Sequence, residues 1–116
     1  MKRFYHLGTC DTCKRIAREL DLPADFERID IKKSPFEVKE IEQLKQLAGS
    51  YETLFSRRAK LYKERGLADE ELTEEDYKNF LLEHYTFLKR PVLVNNDQIF
   101  IGNSKKTVMA AKASLS

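Results

Sequence analysis

Residues Lys2–Leu20 read KRFYHLGTCDTCKRIAREL, and this stretch decides the fold. Lys2–Leu7 alternates weakly and carries Phe4, Tyr5 and Leu7, the pattern of a buried strand. Gly8-Thr9 breaks it. Beyond the break, Cys13, Ile16, Ala17 and Leu20 fall at the i, i+3, i+4, i+7 spacing of a helix face. Asp21 to Pro23 ends that helix, and FERIDI at Phe26–Ile31 alternates as a second strand. Strand, helix, strand is the unit of a parallel pair joined by a right-handed crossover.

Working outward, Ser34-Pro35-Phe36-Glu37 reads as a helix start: Ser34 as cap, Pro35 at the first position, Glu37 completing a capping box. Ile41, Leu44 and Ala48 then mark a buried stripe, closed by Gly49. Tyr51–Phe55 reads as a short helical piece. Thr73 and Asp76 frame another helix start, with Tyr77, Phe80, Leu81 and His84 on one face. Val92–Val94 and Gln98–Ile101 read as strands of a hairpin turned at Asn95-Asn96-Asp97. Ser104 caps a last helix with Val108, Ala111 and Leu115. The expected order is βαβ, a helical insertion at about 34–87, then ββα, in one domain over 1–116.

Length and composition agree with one domain. The chain has 116 residues, 41% hydrophobic and 34% charged, enough for a core under a well-solvated surface. Lys and Arg number 21 against 19 Asp and Glu. That balance argues against general nucleic-acid binding and leaves room for a small anion site. The apolar part of Arg3–Leu7 is too short for a signal segment or membrane span, so the expected location is the cytoplasm. In that reducing compartment, two cysteines three apart suggest catalysis, redox sensing or metal binding rather than a structural disulfide.

Cys10-Asp11-Thr12-Cys13 sits where strand becomes helix. The first helical turn offers unpaired N–H groups and a partial positive charge, and both stabilise a thiolate, so Cys10 is the expected nucleophile with a lowered pKa. Lys14 and Arg15 add positive charge, while Asp11 opposes it. Cys13, one turn on, can resolve a sulfenic acid or mixed disulfide. Two other readings stand beside this one. Cys13 on the apolar face could be core packing. Zinc would want four ligands, and beyond the pair only His6 and His84 are available, at a spacing that matches no finger pattern. His6 itself reads as packing or strand-end solvation rather than a general base.

A thiolate at a helix N-terminus is also an anion site, and arginine forks suit it. Arg57, Arg58 and Arg90 are the candidates, with Thr12 and Pro91 as further contacts. Surface charge is the competing reading for the arginines. Arg90 precedes a proline, which pins it in an extended conformation.

Together, Cys10-Asp11-Thr12-Cys13-Lys14, Ser56-Arg57-Arg58-Ala59-Lys60, Leu88-Lys89-Arg90-Pro91-Val92 and Ile101-Gly102-Asn103-Ser104 resemble the family of glutaredoxin-coupled arsenate reductases and Spx-like proteins. The resemblance implies an α/β, thioredoxin-like fold with a mixed four-stranded sheet flanked by helices, Cys10 as nucleophile, and a cis-proline at Pro91 facing it. It implies a thiol-dependent oxidoreductase acting on a small oxyanion or a disulfide. No bound cofactor is expected; glutathione is the expected thiol donor, with glutaredoxin or thioredoxin as partner. Family members that reduce arsenate have serine at the position of Cys13 and three arginines around the anion. Arg90 matches the one before the proline, Arg57 or Arg58 would serve as the first, and Gly102 stands where the third belongs, so arsenate turnover is expected to be weak. Spx-like members keep the second cysteine and an arginine at the position of Arg58. The alternative function is therefore a redox-sensing regulator that binds RNA polymerase without turnover.

Overall fold

The computed structural model describes every residue from Met1 to Ser116. The chain divides into two compact units: Met1–Ser34 together with Arg90–Ser116, and Pro35–Lys89. The first holds strands β1 (Lys2–His6), β2 (Glu27–Asp30), β3 (Val92–Asn95) and β4 (Gln98–Ile101), with helices α1 (Asp11–Leu20) and α6 (Lys105–Ser114). The second holds α2 (Val38–Ala48), α3 (Tyr51–Leu54), α4 (Lys60–Glu64) and α5 (Glu74–Glu83), with 3-10 turns at Leu67–Asp69 and Tyr85–Phe87.

The four strands form one mixed sheet in the order β2-β1-β3-β4. β1 runs parallel to β2, pairing His6 with Asp30. It runs antiparallel to β3, pairing Phe4 with Leu93, and β3 is antiparallel to β4. The βαβ and ββα readings therefore hold, and β2 and β4 are the edges. The turn between β3 and β4 places Asn96 at φ 59, a left-handed conformation that Asn tolerates.

Alternation on β1 puts Phe4 on the helical side, in a cluster with Ile16 and Leu20 of α1, Leu22, Phe26, Leu93, and Val108 and Ala111 of α6. Burying a side chain of this size contributes about 1.5–3 kcal/mol. The cluster thus fixes α1, and with it the cysteine pair, against the sheet. α1 ends at Asp21 in the left-handed conformation (φ 48), whose N–H returns to the Arg18 carbonyl. Ser104 Oγ accepts from the Thr107 N–H and caps α6 as its position suggested.

In the second unit, Phe55 is fully buried with the rings of Tyr62, Tyr77, Phe80 and Phe87 around it, at centroid distances of 5.8, 4.9, 6.0 and 5.4 Å. α5 starts with the capping box expected at Thr73 and Asp76. The start expected at Ser34-Pro35-Phe36-Glu37 needs correction. The N–H groups of Lys33 and Ser34 both bond to the Asp30 carbonyl, which makes this a turn off the end of β2. The helix begins three residues later, with Glu37 at its cap and no side-chain cap bond. Its buried face is Ile41 and Leu44; Ala48 is only half-buried. No helix is long and apolar enough to cross a membrane.

Candidate functional site: the thiol pair at the mouth of α1

Cys10 is the N-cap of α1, in an extended conformation (φ −90, ψ 114). Its carbonyl accepts from the Lys14 N–H at 3.1 Å, and its own N–H donates to the Leu7 carbonyl at 3.0 Å. A short turn therefore delivers the thiol from the end of β1 to the helix mouth. Cys10 is half-buried, Cys13 is buried, and both are free thiols.

Their ionisation is displaced in opposite directions. Burial opposes a charge on Cys10, but four influences together outweigh it: the N–H of Cys13, the thiol of Cys13, the positive charge of Arg90 and the N–H of Thr12. Its pKa falls below the ordinary thiol value. Burial also dominates at Cys13. There the hydrogen bond to Cys10 and the Cys10 charge add to it, and the pKa is pushed up to about 11. Once Cys10 ionises, its sulfur is placed to accept a hydrogen bond from the Cys13 thiol, which holds its proton to higher pH.

Arg90 stands beside this pair. Its residue is half-buried, and its Nη1 is buried without a hydrogen-bond partner. A buried guanidinium nitrogen left unpaired costs desolvation energy, which an anionic ligand would recover. The Arg90–Pro91 peptide bond is cis, and the Pro91 carbonyl accepts from the Gly102 N–H at 2.9 Å. Gly102 has φ +94, so open space for a Cβ there is offset by a backbone that side chains rarely adopt.

The other expected cations divide. Arg15 pairs with Glu19 at 3.1 Å, so its charge does not serve the thiol as its proximity in sequence suggested. Within its own unit, Arg57 is held by Glu52 and by Tyr77 Oη at 3.0 Å. Arg58 has no carboxylate partner; its backbone N–H donates to Ser56 Oγ at 3.3 Å. His6 stacks on Phe4 at 5.7 Å, and burial lowers its pKa against the charge of Asp30, with Arg28 assisting. His84 Nδ1 accepts from the Thr86 N–H at 3.0 Å. No three His, Cys, Asp or Glu side chains gather as a metal-binding set.

One contributor was missed in the sequence. Asp30 accepts from the N–H groups of Lys32 (3.1 Å) and Gly8. Burial works against its charge, but these bonds, His6 and Lys33 keep its pKa below the ordinary carboxylate value. A Cβ on Gly8 would lie 2.5 Å from Asp30 Oδ2. Gly8 therefore lets the turn before Cys10 close onto the end of β2. The only sequence signal was a glycine ending a strand.

A cysteine of lowered pKa capping the first helix of a βαβ–ββα sheet fits a thiol protein of thioredoxin-like fold. The sequence pattern of the ArsC family matches residues 5–111, and the chain belongs to that family of thiol-dependent oxidoreductases. The chain is similar in structure to a possible arsenate reductase from Streptococcus mutans UA159, with 31% identity over 90% of this chain and 92% of that one, at a TM-score of 0.73. A Staphylococcus aureus COL protein solved by NMR is 27% identical over 95% and 97% of the two chains, at 0.75. An arsenate reductase from Vibrio cholerae, 23% identical over 95% and 96%, shares the fold at 0.78. No curated protein matches the chain in sequence.

Proposed function

We propose that the chain is a thiol-dependent reductase in which Cys10 attacks the substrate and Cys13 resolves the product. The opposite displacement of the two thiols carries this reading. With a disulfide substrate, the Cys10 thiolate attacks one sulfur and expels the other half as a thiolate, which takes a proton from water. The mixed disulfide removes the charge on Cys10 that helped keep Cys13 protonated. Burial still holds the Cys13 pKa up, but the hydrogen bond and the charge no longer do. Cys13 then loses its proton, attacks Cys10 and expels the second half. The substrate gains two electrons and the pair becomes a Cys10–Cys13 disulfide. Glutathione, glutaredoxin or thioredoxin returns the two electrons by thiol–disulfide exchange and leaves as the disulfide.

Arg90 would hold negative charge on a small oxyanion substrate, with Thr12 and Pro91 beside it. Arg58 is better suited than Arg57 to supply a second charge, since Glu52 and Tyr77 already occupy Arg57. With no arginine after β4, arsenate turnover is expected to be weak while disulfide exchange is intact. The direct test is a Cys13→Ser protein offered a glutathione disulfide: a mixed disulfide should accumulate on Cys10. A label on neither residue, or equal labelling of both in the native protein, would overturn the reading.

A second reading draws on the same retained Cys13: an Spx-like switch that signals its oxidation state to RNA polymerase. Multiple turnover of a small disulfide by glutathione and glutaredoxin separates the two, since a switch oxidises once and stops. For the oxyanion question, the strained backbone at Gly102 makes the neighbouring exposed Asn103 the better place to add an arginine. Asn103→Arg should raise arsenate reduction and leave Cys10 alkylation unchanged.

A further inference from the structure

A second feature has neither Cys10 nor Arg90 in its lining, although it shares Cys13 and Gly8 with the thiol site. A groove of about 530 Å³ runs between α1 and the β1–β2 edge, floored by Phe4, Ala17 and Leu22, with His6 and Cys13 in its wall. Lys14 and Arg18 face it from α1, and Arg28 from β2. Its size lies within the range, on the order of 300–1,000 Å³, of small-molecule sites.

The cations are the informative part. Four of the eight arginines meet carboxylates: Arg3 meets Glu27, Arg15 meets Glu19, Arg57 meets Glu52 and Arg65 meets Glu83, whereas Arg58 and Arg90, outside the groove, do not. Lys14, Arg18 and Arg28 have no such partner, although Arg15 on the same helix does. Asp21 is the acidic residue in the lining, and it forms no ion pair with Arg18. Lys14 and Arg18 are like charges at i, i+4, which disfavours a helix by about 0.2–0.5 kcal/mol. They stand about 6 Å apart along the axis, one turn, with Arg28 across from them. Arginine forks match carboxylate and phosphate oxygens, and the floor is apolar.

We propose that this groove binds a small organic dianion, with two acidic groups spaced about one helical turn apart and a short apolar body on the Phe4 floor. The site does not depend on the reductase reading. Isophthalate is a suitable probe, benzoate the singly charged control, and sulfate the dianion without an apolar body. Titrated into the ¹⁵N-labelled full chain, isophthalate should give saturable shifts at the amides of Lys14, Arg18 and Arg28, at least tenfold tighter than either control. It should also raise the His6 titration midpoint by offsetting Arg28. The Arg18→Gln/Arg28→Gln protein should bind at least tenfold more weakly with Cys10 alkylation unchanged; Lys14→Gln alone gives the same direction if the double variant does not fold. Shifts that do not saturate, equal binding of all three anions, shifts centred on Arg90, or unchanged affinity in the charge variants would overturn the proposal.

Discussion

The open mouth of α1 and its buried first turn lie a single helical turn apart, yet they treat the same functional group in opposite ways. At the mouth, Cys10 receives N–H groups and the charge of Arg90, and its thiolate is favoured. In the turn, Cys13 is buried on the core side of the helix, and its thiol is disfavoured as an anion. Residue type is shared, and each sulfur receives a backbone N–H. The difference comes from how much protein buries each sulfur and from the hydrogen bond between them, which favours charge on Cys10 and opposes it on Cys13.

The largest way to break this comparison is to remove one sulfur at a time. Cys10→Ser should reduce disulfide exchange to background, whereas Cys13→Ser should keep fast alkylation of Cys10 and lose only the intramolecular disulfide; mass spectrometry after mild peroxide separates them. Arg90→Gln is next. It should raise the Cys10 pKa, measured as alkylation rate against pH, and lower any oxyanion reduction by about 10²-fold or more, as loss of one well-placed donor does. Disulfide exchange should fall far less, since no anion needs holding.

Gly8→Ala sharpens the geometry. The new Cβ meets the Asp30 carboxylate, which has to swing away and give up its bond from the Gly8 N–H, or else the turn before Cys10 shifts. A loss of about 1–3 kcal/mol in urea unfolding is expected, the usual range for overpacking. Cys10 alkylation should change more than the environment of Cys13, which α1 holds. A Gly8→Ala protein of native stability would mean that the Asp30 contact is not needed.

The smallest effect concerns pH. A thiol with a raised folded pKa leaves the unfolded chain to ionise first, so stability falls as pH rises from the ordinary value of 9.0 toward about 11. For Cys13 the loss should reach no more than about 3 kcal/mol. Cys10 acts in the other direction: its lowered pKa adds stability as pH rises through the window below the ordinary thiol value. Unfolding midpoints of the native and Cys13→Ala proteins between pH 8 and 11 test this, and an identical alkaline decline in both would remove Cys13 as its cause.

What could be read from the sequence follows the range of the forces involved. The thiol at a helix mouth was legible because strand, break and helix are adjacent in the chain. The capping box at Thr73–Asp76 was legible for the same reason, whereas Ser34–Glu37 offered equally good local chemistry and failed. There the Asp30 carbonyl claims the N–H groups of Lys33 and Ser34, a competition no helix pattern encodes. Phe55, just past the end of α3, and Phe87, in the 3-10 turn after α5, anchor the aromatic cluster from positions where helical periodicity gives no guide. In the site, Arg90 was marked by its proline. Arg57 and Arg58 looked alike until the fold brought Glu52 and Tyr77 to one of them. Asp30 left no trace beyond a glycine twenty-two residues earlier.

The two sheet edges differ in how they meet other chains. An exposed edge presents unpaired N–H and C=O groups to any strand that approaches. β2 carries Glu27, Arg28 and Asp30, and desolvating those charges makes addition of a foreign strand costly. β4 reads Gln98-Ile99-Phe100-Ile101 and has no charge at all. Its protection is brevity: pairing can extend over only four residues before Gly102 turns the backbone aside. A change that lengthened β4 past that glycine would extend an uncharged edge on which a second chain could pair.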